Sequence, residues 1–275
     1  ADRGMIASGE ASGNLNAILH DLAHQSEKSA LIISKVRGAM IYPAAIFIIM
    51  GICLFLILTM VVPKLTELFT SGGKELPTST QLLMKASELA QNYWAAILLF
   101  ILFLVLCLIG LRQTKQGRYS IDLFLLYTPV FGKLLRELMV SRFARMLSSL
   151  MKAGVPIVHA LEIDANALGN AVYTQRVSYA AQDVAQGIPL GENLSGSDFL
   201  FPPMVASMVL VGEQTANLSE VSSKVADYYE EEVDNAVASL SKLMEPMILV
   251  VMGGMVGFIV AAIMQPIMSL SDIST

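Results

Sequence analysis

Three long apolar runs, separated by segments of mixed polarity, set the pattern of this chain. They cover residues 41–62, 94–111 and 247–268. Each is close to the ~20 apolar residues that a helix needs to cross the ~30 Å hydrocarbon core of a bilayer. Between them the apolar positions recur at helical spacing, and no stretch alternates as strands do. The pattern predicts an all-α membrane protein with three transmembrane helices.

The segments between the runs carry amphipathic helical patterns. Residues 63–93 are expected to form a short helical hairpin, in which Thr78 and Gln81 open a helix as a capping box. Residues 119–246 are expected to form a larger helical bundle. Its expected helices are Lys133–Ala153, one from Pro156 to about Leu168, Asn170–Gln186, one through Met204 and Val211 that breaks at Gly212-Glu213, and a last helix capped by Asn217 with Glu220.

Residues 1–40 read as the end of another helical domain. The chain starts at Ala1, inside a helical pattern, without an initiator Met. We therefore expect it to be part of a longer protein or a processed product.

An internal repeat links the two ends of the chain. At a gapless offset of 203 positions, identical residues recur on both sides of the first and third apolar runs. The pairs include Gly9/Gly212, Glu10/Glu213, Asn14/Asn217, Pro43/Pro246, Gly51/Gly254 and Pro63/Pro266. Such self-similarity indicates a duplicated unit. The second run then returns the chain, so that both copies enter the membrane from the same side.

Composition and charge agree with a membrane location and suggest an orientation. The chain is 55% hydrophobic and 15% charged, with a net charge of −5 and a mean hydropathy of +0.61. Basic residues crowd the segment after the second run, namely Arg112, Lys115, Arg118, Lys133, Arg136, Arg142, Arg145 and Lys152. Because basic loops stay inside, we expect the N-terminus and residues 119–246 in the cytoplasm, and residues 63–93 and the C-terminus outside.

Several motifs, in order, resemble one family. They are Phe143–Ile157, Ala160-Leu161-Glu162, Gly169-Asn170, Gln186-Gly187, Phe201-Pro202, Val211-Gly212-Glu213, Tyr229–Asp234, Glu245-Pro246 and Pro266. The chain is similar to the inner-membrane platform proteins of type IV pilus assembly (PilC-like) and type II secretion (protein F). The resemblance implies that residues 119–246 are a cytoplasmic antiparallel helical-bundle F-domain, and that residues 1–40 are the remnant of a duplicated first one.

The resemblance also implies a role and partners. Such a protein is a non-enzymatic platform in the bacterial inner membrane that couples a hexameric cytoplasmic motor ATPase to pilin extraction and filament assembly. The implied partners are that ATPase, pilins or pseudopilins, other inner-membrane assembly proteins and further copies of the chain. Cofactors and direct contact with nucleic acid are not expected.

Two other classes compete with the platform interpretation. A small-solute transporter or channel, or an intramembrane enzyme, would line its spans with polar residues, and here only Thr59 and Gln265 are available. No charged residue lies deep in a span, which argues against ion coupling. The sequence has no Gly-x4-Gly-Lys-Ser/Thr loop, so a partner must hydrolyse any ATP.

Acidic residues supply candidate contacts with partners. Glu10 and Glu213 occupy matching places in the repeat and are candidates for a basic residue of the ATPase or a sister subunit. The alternative is that the preceding glycine supplies a positive-φ turn and the glutamate binds nearby backbone donors. Glu230 belongs to an acidic run, Glu230–Asp234, that either binds a divalent cation or forms a solvated face. Successive helical positions diverge by ~100°, which favours the solvated face.

The spans supply the remaining candidates. Pro43 and Pro246 lie where a cytosolic helix enters the membrane, and each predicts a kink and is a candidate hinge. Gly253 and Gly257 form a small-residue stripe, suited to a close contact with a sister subunit, a pilin or span one.

The remaining motifs concern metal ions, lipid and cysteine chemistry. His20 and His24 are one helical turn apart, as in some zinc sites, but no metal site is expected there. The basic segment after the second run is a candidate for membrane lipid. Cys53 and Cys107 lie inside apolar runs and are expected to be packing residues.

Overall fold

The computed structural model describes residues 15–64, 78–129 and 131–271. Over this part of the chain there are ten α-helices, one π turn and no strand. The helices are α1 (Leu15–Leu56), α2 (Thr78–Asn92), α3 (Trp94–Gln113), α4 (Lys115–Tyr127), α5 (Phe131–Lys152), α6 (Ile157–Ala167), α7 (Ala171–Ala185), α8 (Leu190–Ser195), α9 (Pro203–Gln214) and α10 (Leu218–Ser271). The all-α prediction is confirmed.

Three stretches are long and apolar enough to cross a membrane. They are Met40–Lys64, Trp94–Gln113 and a part of α10 within Leu218–Ala262. In each, almost none of the most apolar window is buried within the described chain. An apolar surface of this extent is stable in hydrocarbon and not in water, so the prediction of a three-span membrane protein is confirmed.

The chain divides into two compact units. The first contains the described residues up to Val36 and Leu111–Ser239, and the second contains Arg37–Gly110 and the residues from Leu240 onward. Both α1 and α10 run through a unit boundary as continuous helices.

The first unit is a helical bundle built around α5. Phe143, Leu147 and Leu150 of α5 have no exposed surface. The ring of Phe201 packs edge-on against Phe143 and Tyr173, with centroid distances of 5.0 and 5.5 Å. The buried Tyr173 hydroxyl donates to the carbonyl of Leu200 at 2.7 Å. The core therefore joins α5, α7 and the loop before α9.

The turn between α6 and α7 is held by side chains of two helices. Gly169 has a φ of +78°, which closes α6. Asn170 then accepts hydrogen bonds from the amides of Val172 and Tyr173. Asp122 of α4 accepts the amide of Ala171 at 2.8 Å. Helix α4, which is not among the helices predicted from the sequence, thus satisfies a donor at the start of α7.

The break expected at Gly212-Glu213 is wrong. Helix α9 continues to Gln214, and the turn falls at Ala216, which has a φ of +53°. Gly212 is helical and buried, and a Cβ there would lie 3.1 Å from the Cα of Leu218 and 3.2 Å from the Cβ of Val221. Its lack of a side chain therefore permits the close approach of α9 to α10, and supplies no positive-φ turn.

The second unit contains a smaller apolar cluster. Val62, Leu83, Ile259 and Ala262 are buried together, with Ile57 and Met255 packed against them. These residues bring the end of span one, helix α2 and the membrane part of α10 into contact. A π turn, Ile57–Val61, lies within this cluster, where the amide of Val62 donates to the carbonyl of Ile57.

Candidate functional site

The two prolines expected at the membrane entry lie inside helices that continue past them. Pro43 is within α1 and Pro246 within α10. Pro43 is buried, whereas Pro246 is exposed. A proline inside a helix removes one backbone donor and crowds the carbonyl four residues earlier. Each helix therefore lacks one backbone donor at its proline and continues past it.

Glu213 binds two backbone donors within the described chain. Its two carboxylate oxygens accept the amides of Leu190 and Gly191 at 2.7 and 2.8 Å. These amides are the first of α8, so a carboxylate satisfies the start of that helix. Glu213 therefore binds backbone donors, which lie more than 20 residues earlier in the chain. Its repeat partner Glu10 lies outside the described residues.

Glu230 belongs to an ion-pair cluster centred on Arg145. The guanidinium of Arg145 contacts the Glu230 carboxylate at 2.8 and 2.9 Å, the Ser223 hydroxyl at 3.3 Å, and the carboxylate of Asp227. The side chains of Arg145 and Glu230 are only 17% and 19% exposed. Because the acidic residues are one helical turn apart, a single arginine on α5 holds both and ties α5 to α10.

The rest of the acidic run points elsewhere. Asp234 pairs with Lys35 of α1 at 2.7 Å, and Glu232 lines a separate cavity. Glu231 is exposed. The residues therefore do not converge, and the described part of the chain holds no group of three His, Cys, Asp or Glu side chains arranged for a metal. The side chains of His20 and His24 are outside the described ones.

A cavity of about 440 Å³ opens on the first unit between α5, the segment before α9, and α10. Charged groups of both signs and three aromatic rings line it: Lys133, Arg136, Glu137, Asp198, Phe199, Tyr228, Tyr229 and Glu232. The guanidinium of Arg136 lies 4.7 Å from the centre of the Phe199 ring, which also stacks on Tyr127. Burial raises the pKa of Glu137, whose neighbour Lys133 acts in the opposite direction.

The glycine stripe on span three faces away from its neighbours in the described chain. Gly253 and Gly257 are exposed, and a Cβ built on either would meet nothing within 4 Å. The contact with span one is made instead by Met255, Ile259 and Ala262. Close packing of the stripe against span one is therefore wrong.

Thr59, the polar residue of span one that a transporter could use to line its path, makes a hydrogen bond within the same span. The hydroxyl of Thr59 donates to the carbonyl of Phe55 at 2.8 Å in its own helix. The side chain of Gln265 is not among those described.

The contacts and burial of three side chains were not predicted from the sequence. Arg145 lies in the basic segment that the positive-inside rule explains as a topology signal, and its place between the apolar Ala144 and Met146 is a sequence signal of burial. Asp164 is fully buried in α6, with no donor near either oxygen in the described chain. Ser87 is buried in α2, and its hydroxyl donates to the carbonyl of Leu58 in the π turn.

Comparisons with known proteins agree with the internal repeat of the sequence. The family model for type II secretion system protein F matches residues 3–63 and 143–266. The two matches end at Pro63 and Pro266, the residues that the 203-position repeat also pairs.

Individual relatives are similar over almost the whole chain. Type IV pilus assembly protein PilC of Thermus thermophilus is 42% identical over 96% of this chain and 65% of its own length. Its counterpart in Pseudomonas aeruginosa is 38% identical over 98% of this chain and 72% of its own length. Type II secretion system protein F of Vibrio cholerae is 34% identical over 98% of this chain and 67% of its own length. The chain thus spans about two thirds of the length of these relatives.

Proposed function

The chain belongs to the type II secretion system protein F family, and we propose that it is an inner-membrane platform protein that couples a cytoplasmic motor ATPase to the assembly of a pilin filament. The observation that carries the proposal is its 42% identity, over 96% of the chain, to a protein named for type IV pilus assembly. Relatives named for pilus or fimbrial assembly are 33–42% identical and those named for type II secretion are 30–35% identical, so the two ranges overlap and the pilus range extends higher. This difference favours the pilus branch.

The two units suggest a division of labour. The first unit has a cavity lined by Arg136 and three aromatic rings, side-chain types that protein interfaces favour at their centres, with further charged side chains around them. We assign the ATPase contact to this unit. The exposed stripe of Gly253 and Gly257 is offered to a sister subunit or a pilin, since small residues let helices approach closely in lipid.

The internal contacts of Glu213 and Glu230 limit the contacts that either residue can make with a partner protein. Glu213 and Glu230 each serve an internal bond, so a partner that used either would compete with α8 or with Arg145. Pro43 and Pro246 remain proposed hinges. Equal filament assembly by Pro246→Ala and the natural chain would exclude a hinge at that proline.

The proposed orientation places the first unit in the cytoplasm and α2 outside. A cysteine-free background, with Cys53 and Cys107 changed to alanine, allows a direct test. Lys85→Cys on α2 and Glu192→Cys on α8 both change exposed positions. A membrane-impermeant maleimide should label the Lys85→Cys variant in intact cells and the Glu192→Cys variant only after permeabilisation. The reverse pattern would invert the proposed topology.

The function itself is tested by deletion and complementation in the organism that carries the chain. We expect surface pili to be lost and restored by the gene, while secreted proteins are unchanged. Loss of secretion with intact pili would assign the chain to the secretion branch instead. Affinity purification from membranes should recover a motor ATPase, and proteoliposomes that take up solute would support the transporter class over the platform.

A further inference from the structure

An apolar groove runs between span one and the membrane part of α10, within the second unit. Its volume is about 420 Å³. Its walls are isoleucine, leucine, methionine and valine side chains, with the thiol of Cys53 on one side. One end differs, because Tyr42 and Glu245 line it with a hydroxyl and a carboxylate.

The groove is formed by corresponding faces of the two repeat copies. Tyr42 and Glu245 are equivalent at the 203-position offset, as are Ile49 and Met252, and Cys53 and Val256. The two helices therefore present the same face to each other, as in a parallel two-fold dimer. The repeat also places the hydroxyl and the carboxylate at one level, so the polar end is set by the duplication.

The length and volume of the groove fit a hydrocarbon chain. From residue 245 to residue 259 the helical rise amounts to ~21 Å. The volume of about 420 Å³ lies within the range of ~300–1,000 Å³ that small-molecule pockets show. One leaflet of a ~30 Å hydrocarbon core is ~15 Å deep. A single extended acyl chain that starts at the polar end therefore fits within the groove.

The polar end selects the headgroup. The carboxylate of Glu245 is an acceptor for a cationic donor, and the Tyr42 hydroxyl can donate to a phosphate oxygen. Lys242, exposed and three residues before Glu245 on the same helix, adds a positive charge at this end of the groove. A group with a phosphate beside a primary ammonium matches this order of charges.

We propose that the groove binds one acyl chain of a phospholipid with a primary amine in its headgroup, with the ammonium on Glu245 and the phosphate near Tyr42 and Lys242. This assigns a defined lipid site between the two repeat copies. It is independent of the pilus or secretion role, because it rests on the spans alone.

Native mass spectrometry of the full chain tests the proposal. The protein is purified and exchanged into phosphatidylethanolamine, phosphatidylcholine or phosphatidylglycerol with identical acyl chains. We expect one phosphatidylethanolamine to be retained per chain, preferred over phosphatidylcholine by about tenfold, the ratio that one hydrogen bond to a charged group supplies. Glu245→Gln should abolish this preference, whereas Glu231→Gln, exposed on the same helix outside the groove, should preserve it.

A second variant tests the groove itself. Met252→Trp fills it and should reduce retention of every phospholipid, whereas Val250→Trp, at a position 74% exposed on the same helix, should have no effect. Equal retention of the three lipids, or retention by Met252→Trp at the natural level, would overturn the proposal.

The natural cysteines give a measurement that needs no variant. Cys53 lines the groove, and Cys107 of α3 is exposed elsewhere. In proteoliposomes, phosphatidylethanolamine should slow alkylation of Cys53 by N-ethylmaleimide relative to phosphatidylcholine and leave Cys107 unchanged. An equal rate at Cys53 in both lipids, or cross-linking of Cys53 to a protein helix, would contradict the lipid assignment.

Discussion

The hydroxyl of Ser87 donates a hydrogen bond of 2.5 Å to the carbonyl oxygen of Leu58, across the contact between α2 and the π turn. Pro63 lies five residues after Leu58, where a π turn would place the amide donor, and proline has no amide hydrogen. The amide of Val62 donates to Ile57. Ser87, itself buried, thus supplies a hydrogen-bond donor to the carbonyl that cannot receive an amide from residue 63.

Ser87→Ala should lower the stability of the second unit. A buried acceptor that loses its partner costs about 1–3 kcal/mol. If Pro63 creates the need for that donor, the cost of Ser87→Ala should shrink in a Pro63→Ala background, where residue 63 regains an amide hydrogen. Thermal unfolding of the four chains in detergent measures the coupling. Equal costs in both backgrounds would separate the two residues energetically, and exposed Lys85→Ala serves as the control.

Ala216→Gly should stabilise the first unit. Ala216 has a φ of +53°, in the left-handed region that costs a residue with a Cβ about 1–2 kcal/mol. Part of that gain is offset by the greater backbone entropy of glycine in the unfolded chain, so we expect a net gain of about 0.5–1 kcal/mol. Gly187→Ala is the matched reverse, since Gly187 has a φ of +91° with nothing near its missing Cβ. Opposite shifts of the melting temperature are expected; shifts of the same sign would contradict backbone strain as the cause.

Arg145→Met should loosen the contact between α5 and α10. It removes the charged donor of the Glu230 carboxylate in a site only 19% exposed, a loss of about 1.5–3 kcal/mol. The Lys35–Asp234 pair is half exposed, so Lys35→Met should cost less than about 1 kcal/mol. Chemical denaturation of both variants provides the comparison. A cost for Lys35→Met as large as that for Arg145→Met would show that burial does not govern these pairs.

Asp164→Leu should stabilise the first unit and flatten its dependence on pH. Complete burial raises the pKa of Asp164 well above its ordinary value. Below the pKa of the unfolded chain the carboxyl is protonated in both states; as the pH rises, the unfolded state ionises first and the folded state loses stability. Leucine removes this loss, together with a buried polar group that costs about 1–3 kcal/mol at neutral pH.

Melting temperatures between pH 4 and pH 8 test this prediction, with exposed Asp198→Leu as the control. The stability difference between Asp164→Leu and the natural chain should grow with pH. A difference that is constant over this range would mean that Asp164 titrates alike in both states.

The helices were predictable because their signals are local. The apolar periodicity of α5, the Asn170 cap of α7 and the Asn217 start of α10 are all set by neighbouring residues. The turn before α10 was misplaced because glycine usually marks such turns, and here the alanine at 216 takes the positive φ while Gly212 serves the contact between helices.

The candidate sites depend on residues far apart in the chain, so the sequence could not show them. Glu230 and Arg145 are separated by 85 positions, and Ser87 and Leu58 by 29. An acidic run and a basic segment each have a simple local explanation, and only the packing of α5 on α10 shows that they meet. The groove between α1 and α10 could not be predicted either, because the repeat alone does not show that its two copies face each other.

Helix α3 differs from the other helices in how its side chains are exposed. Every described side chain from Trp94 to Gln113 is exposed, and none of its most apolar window is buried. Within one copy of the chain, this helix needs apolar side chains, and no packing contact fixes the shape of each side chain. Exchanges among leucine, isoleucine, valine and phenylalanine along α3 should then be silent wherever the helix touches only lipid. A residue there that tolerates just one apolar side chain would mark the place where another protein is bound.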